Sequence, residues 1–168
     1  MIKLFLSPAG RMGRKKFWIG FVGFAVFVTL AQLGLHEIAD TLAGFFLSLI
    51  FIVLVFQILY SVYGKRLHDM GRSFWPLTAM LALTVVIAIA VLMAYGGSEY
   101  FSEFAKYDRK DDIDPAEIAR LQANYQARLA DGGVVLGPLL YGVWGLFTAW
   151  CGFAKPDPEA NRYGAPLG

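Results

Sequence analysis

Four long apolar segments, at residues 17–35, 42–63, 74–95 and 134–154, contain no Asp, Glu, Lys, Arg or His. A bilayer core of roughly 30 Å is crossed by about 20 helical residues, so each segment is long enough to span it. Lipid offers no hydrogen bonds to an exposed backbone, which restricts such spans to helices that satisfy their own N–H and C=O groups. The second segment alone holds about fifteen Leu, Ile, Phe or Val, each favouring insertion by ~0.3–0.6 kcal/mol near the helix centre. A fully buried soluble bundle is also apolar all round. Four such helices in 168 residues, however, leave no outer layer to face water. The expected fold is therefore all-α: a polytopic membrane protein with four transmembrane helices, forming a single domain over residues 1–168.

Orientation follows from the cations between the spans. The N-terminal stretch carries Lys3, Arg11, Arg14, Lys15 and Lys16; the 64–73 connection carries Lys65, Arg66 and Arg72; the C-terminal tail carries Lys155 and Arg162. The opposite side has none in 36–41. In 96–133 it has Lys106, Arg109, Lys110, Arg120 and Arg128, outnumbered there by eight acids. Ten cations against five place both termini and the 64–73 connection in the cytoplasm. The long basic stretch, the apolar run of about 19 residues and the lack of an A-x-A-like site fit an uncleaved signal anchor. Aromatic residues such as Trp18, Tyr63, Trp75, Tyr95 and Trp150 mark the interfaces. Trp144 and Tyr141 lie deeper and need polar partners.

The extracytoplasmic segment 96–133 exceeds a simple connection. Asp114 is a candidate N-cap, Pro115 suits the first helical position and Glu117 follows the cap by three residues. Ile118, Leu121, Tyr125 and Leu129 recur at helical spacing, and Gly132-Gly133 is expected to stop this short amphipathic helix. Such a helix suits the outer headgroups, a place folded against the mouth of the bundle, or a solvated position in an acidic loop.

Polar chemistry concentrates in Gly64-Lys65-Arg66-Leu67-His68-Asp69-Met70-Gly71-Arg72-Ser73. Adjacent residues on a helix do not face each other, so His68 and Asp69 cannot act as a dyad alone. Nearby nucleophiles reduce to Ser73 and Cys151. A structural arrangement is simpler: Asp69 pairs with Arg66 or Arg72, His68 meets Arg72, Gly71 and Ser73 break and cap helices, and the next helix starts at Phe74 with Pro76 in its first turn. No metal or other cofactor is expected. His36 and His68 fall on opposite sides of the membrane, and Gly10-Arg11-Met12-Gly13-Arg14 lacks the strand and spacing of a phosphate loop. Transport has little support in spans that offer only Gln32, Gln57 and scattered Ser/Thr. The cations flanking the first three spans suit an anionic leaflet at about 1 kcal/mol each. A nucleic-acid partner is not expected of so small a patch flush with lipid.

Three separated stretches resemble a known family. Gly10-Arg11-Met12-Gly13-Arg14-Lys15-Lys16-Phe17-Trp18 is similar to the opening G-R-x-x-R-x-x-F/Y-W of the domain-of-unknown-function family 805, small bacterial inner-membrane proteins. Arg66-Leu67-His68-Asp69-Met70-Gly71-Arg72-Ser73 is similar to its R-L-H-D-x-G-R-S signature, and Asn161-Arg162-Tyr163-Gly164 to its closing N-R-Y/F-G. Phe74 stands where that family usually has glycine, and the outside segment is longer than expected for it. The resemblance implies a helical inner-membrane protein without an assigned activity. It also implies that the three motifs share one cytoplasmic surface, joining Arg11, Arg14, Arg66, His68, Asp69, Arg72, Asn161 and Arg162 in one polar cluster.

The leading expectation is a non-enzymatic protein whose cluster binds an anionic lipid headgroup or a partner protein, with membrane lipids, a second copy or another membrane protein as partners. The alternatives are a small transporter or channel subunit, and a lipid-modifying enzyme using His68 and Asp69.

Overall fold

The computed structural model describes residues 5–107 and 113–166; Lys3, Arg109, Lys110, Asp108, Asp111 and Asp112 of the charge count lie outside them. Among the described residues these helices follow in order: α1 Arg14–His36, α2 Leu42–Asp69, α3 Trp75–Leu92, α4 Ser98–Phe104 and α5 Pro115–Phe153, with a π turn Met93–Gly97 between α3 and α4. Among the described residues there is no strand, only an isolated bridge between Asn161 and Gly164. Four helical stretches among the described residues are long and apolar enough to cross a membrane. Val22, Leu30, Leu33, Phe45, Val53, Val86 and Leu146 all point outward on them. Outward-facing apolar side chains over the length of a helix are what lipid as solvent selects.

The second helix starts and stops for identifiable reasons. Thr41 accepts the Gly44 amide on its hydroxyl at 2.9 Å, an N-cap. At the other end the Arg72 amide reaches the Leu67 carbonyl at 2.8 Å and the Gly71 amide the His68 carbonyl at 3.1 Å. That is a Schellman ending, and it needs Gly71 in the left-handed region at φ +72°. The helix thus runs six residues beyond the apolar segment, so the first half of the polar connection is helical. Only Met70 to Phe74 link α2 to α3, whose first turn contains Pro76.

One expectation is corrected in the later segment. The amphipathic helix does not stop at Gly132-Gly133; α5 continues unbroken for 39 residues and includes Pro138. Glycine weakens a helix by only about 1 kcal/mol. Gly132 has a packing role as well, since a Cβ there would lie 3.0 Å from the Tyr95 Cβ. The break falls instead at the π turn, where Tyr95 (φ −100°, ψ 42°) and Gly96 (φ +110°) leave helical geometry. The expected start holds: the Asp114 carboxylate accepts the Ala116 amide at 2.9 Å.

The chain divides into two compact units, one holding residues to Thr78 and from Thr148 onward, the other Ala79–Phe147. In the first, Met12, Phe17, Val62, Tyr63, Leu67, Leu77 and Cys151 are buried. Phe17 meets Tyr63 edge-on at 5.3 Å, and the Tyr63 hydroxyl hydrogen-bonds Thr148 at 2.7 Å. In the second, Tyr100 of α4 stacks on Tyr125 of α5 at 4.6 Å, Glu99 pairs with Arg128, and the Trp144 indole donates to Thr84 at 2.9 Å.

Candidate functional site

Every residue from Ser61 to Asp69 is buried, including Lys65, Arg66, His68 and Asp69. Charged groups are withdrawn from water only when paired and hydrogen-bonded, and here the partners come from three separate parts of the chain. Asp69, the last residue of α2, accepts Arg11 Nε on Oδ1 at 3.1 Å and Arg66 Nη1 on Oδ2. The Arg11 side chain is 1% exposed and that of Arg66 is fully buried.

One carboxylate cannot neutralise two guanidinium groups, so carbonyl oxygens take the remaining donors. Arg11 donates to the carbonyls of Glu159 at 2.8 Å, Asp69 at 3.3 Å, Gly164 at 3.4 Å and also Asp157. Arg66 donates to the Cys151 carbonyl at 2.6 Å and to that of Ala154; Arg14 Nε reaches the same Ala154 oxygen at 3.0 Å. Cys151 and Ala154 lie at the C-terminus of α5, where the last carbonyls have no helical partner and the helix dipole favours cations. Arg14 and Arg66 therefore cap α5, and Arg11 ties the tail down.

The tail is shaped to fit. Asn161 and Gly164 exchange backbone hydrogen bonds at 3.1 and 3.0 Å. The Asn161 amide group donates to the His68 carbonyl at 3.1 Å and to Asp157 Oδ2 at 2.9 Å. The Asp157 amide donates to the Asp69 carbonyl at 2.7 Å. The Asn161 side chain and the Glu159 amide hold the Asp157 carboxyl below its ordinary value of 3.8 against an opposing desolvation, with a lesser contribution from Arg11. His68 is enclosed by rings: Tyr163 stacks on it at 3.6 Å with 6° between planes, and Phe74 meets it edge-on at 4.5 Å. Its Nδ1 lies 3.2 Å from the Gly10 carbonyl.

The structure thus brings together all eight residues singled out in the sequence, and sorts them. Arg11, Arg66, Asp69 and Asn161 give their polar groups to one another and to the main chain. Arg14, Arg72 and Arg162 are exposed. Arg72 lies 5.3 Å over the Trp150 ring and Arg162 4.8 Å over Tyr163. Of the two acid–base pairings expected for Asp69, the one with Arg66 forms. His68 does not meet Arg72: its ring faces Gly10, Phe74 and Tyr163 instead. Sequence reasoning missed Asp157, Tyr163 and the α5 carbonyls. Tyr163 lies within Asn161-Arg162-Tyr163-Gly164, whereas main-chain acceptors leave no trace in side-chain identity. Among the described residues no three His, Cys, Asp or Glu come together to hold a metal ion.

Residues 5–165 match the sequence model of a family described as "Protein of unknown function (DUF805)". No curated protein and no solved structure matches the chain.

Proposed function

The chain belongs to the DUF805 family of proteins of unknown function, and from that premise we propose a non-enzymatic, multi-pass protein of the bacterial inner membrane whose cytoplasmic rim of arginines holds an anionic lipid headgroup. Both termini lie on the cytoplasmic side in this reading, on the strength of the cation count. The observation that carries it is the division within the polar cluster. Arg11 and Arg66 are committed to Asp69 and to carbonyl oxygens. Arg14, Arg72 and Arg162 remain exposed, Arg14 while giving its Nε to the Ala154 carbonyl, with Lys15 and Lys16 beside it.

A guanidinium held over an aromatic ring keeps N–H donors turned away from the ring for an acceptor, and phosphate oxygens suit those donors. Several cations at one membrane face, each worth about 1 kcal/mol near an anionic leaflet, add up to selective retention of acidic lipid. Asp69 and Asn161 serve the site indirectly, by holding the arm and tail that carry Arg14 and Arg162.

The test is native mass spectrometry of the full chain released from nanodiscs of phosphatidylglycerol and phosphatidylcholine, beside the Arg72→Ala/Arg162→Ala variant. The expected result is preferential retention of phosphatidylglycerol by the wild type and its loss in the folded variant. Equal retention in both proteins removes the headgroup reading. A protein adduct from native membranes that disappears in the variant, with lipid retention unchanged, assigns the rim to a protein partner instead.

A further inference from the structure

Nδ1 of His68 faces the Gly10 carbonyl, which can only accept, so Nδ1 carries the ring proton. The lone pair therefore sits on Nε2, and Nε2 is buried with no hydrogen-bond partner. Two rings close around it, Phe74 from the connection after α2 and Tyr163 from the tail. A neutral imidazole tolerates this enclosure.

From this geometry we propose that the 157–164 tail is a proton-sensitive latch, closed over neutral His68 and released when Nε2 takes up a proton. The proton creates a buried N–H with no acceptor; the face of Tyr163 offsets part of the cost of the new charge but offers that N–H no lone pair. The surrounding charges offer no relief. On its own helix Lys65 and Arg66 are cationic, and the Asp69 carboxylate is already held by Arg11 from the N-terminal arm and by Arg66. From the tail, Arg162 places a positive charge close to the ring, and Asp157 is engaged by Asn161 and the Glu159 amide. Arg72, in the connection, is a further cation. The ring leaves this setting most simply by losing Tyr163, the face that belongs to the tail.

The sign follows from linkage. The released state has an ordinary imidazole, titrating at ~6.5, and binds the proton more readily than the latched state does. Latching is complete above that pH and weakens as pH falls through it, by up to about tenfold per pH unit. Asp157 titrates well below this window and does not contribute to it. The inference goes beyond the lipid reading and does not depend on what the rim binds.

The experiment is hydrogen exchange of the full chain in phosphatidylcholine nanodiscs between pH 7.5 and 5.0. The readout is the protection factor of the Asp157 amide, with the intrinsic pH dependence of exchange divided out. That amide bonds the Asp69 carbonyl, so its protection measures closure. Wild type is expected to lose about tenfold or more in protection across the range. His68→Phe keeps a ring against Tyr163 and cannot titrate, so its protection should stay flat. Tyr163→Leu, which leaves His68 unaltered, should be poorly protected already at pH 7.5. Flat protection in the wild type, an acid step retained in His68→Phe, or a wild-type profile in Tyr163→Leu would each overturn the latch.

Discussion

Arg11 and Asp69 meet across 58 residues of sequence, Nε to Oδ1 at 3.1 Å, with both side chains withdrawn from water. Arg66 occupies the other carboxylate oxygen. Asp69 is therefore the point at which the N-terminal arm, the end of α2 and, through its backbone carbonyl, the tail are joined. Adjacency to His68 gives the pair a catalytic look in sequence, but the carboxylate is turned to two arginines rather than to the imidazole.

Asp69→Asn is expected to be strongly destabilising. The substitution preserves volume but leaves two buried guanidinium groups without a counter-charge, and breaking a buried ion pair costs about 3–5 kcal/mol. Arg72→Ala, by contrast, removes an exposed cation resting on Trp150 and should cost about 0.5–1 kcal/mol. Denaturant unfolding in one detergent, followed by near-ultraviolet circular dichroism, compares them; similar midpoints would show that the Asp69 charge does not hold the cluster.

Much of this architecture is legible in the sequence because lipid is an exacting solvent. The second apolar segment begins at the observed first residue of α2, Leu42. The third ends at Tyr95, inside the π turn. Charge does not mark helix ends in the same way: α2 passes through Lys65, Arg66, His68 and Asp69 because arm and tail supply partners that hydropathy cannot see. The Gly132-Gly133 stop signal fails for a related reason, since Tyr95 packs against Gly132. Within the site, the three motifs that resemble the family point to the eight participants, but the division into committed and exposed arginines depends on carbonyls at 151, 154, 157, 159 and 164.

Acid should loosen the Asp157 turn in a step separate from any involving His68. The folded-state titration lies below the ordinary 3.8, chiefly through Asn161 and the Glu159 amide. A depressed carboxylate contributes stability in full above its unfolded value and loses it as pH falls through the folded one. Asn161→Ala removes the largest cause, so the Asp157 titration should move up toward 3.8, as carbon-13 chemical shifts of its carboxyl would record. An unmoved titration would mean that Asn161 does not bind the carboxylate in solution.

Gly71→Ala should weaken closure of the tail on α2. The residue sits at φ +72°, which disfavours any Cβ, and a Cβ there would lie 2.9 Å from Asp157 Oδ2. The backbone strain alone is of order 1–2 kcal/mol. Gly71→Asn tolerates the left-handed backbone better but meets the same oxygen. Loss of Asp157 amide protection in both variants, larger in Gly71→Ala, separates strain from contact. Equal protection to the wild type would remove Gly71 from the closure.

Phe74 and Gly64 form the sharpest test of packing in the cluster. A Cβ at Gly64 would stand 2.2 Å from Phe74 Cε1, a separation that real atoms do not adopt. Gly64→Ala must therefore displace the Phe74 ring, which also closes one side of His68. Overpacking of this kind costs about 1–3 kcal/mol, partly offset by the ~1 kcal/mol by which alanine outranks glycine in a helix. Phe74→Gly opens the space, so Gly64→Ala in that background should be neutral or stabilising. A double-mutant cycle on unfolding free energy is expected to give a coupling of about 0.5–3 kcal/mol. Additivity of the two substitutions would show that the ring does not rest on Gly64, and with it the enclosure of His68 from the Phe74 side would fall.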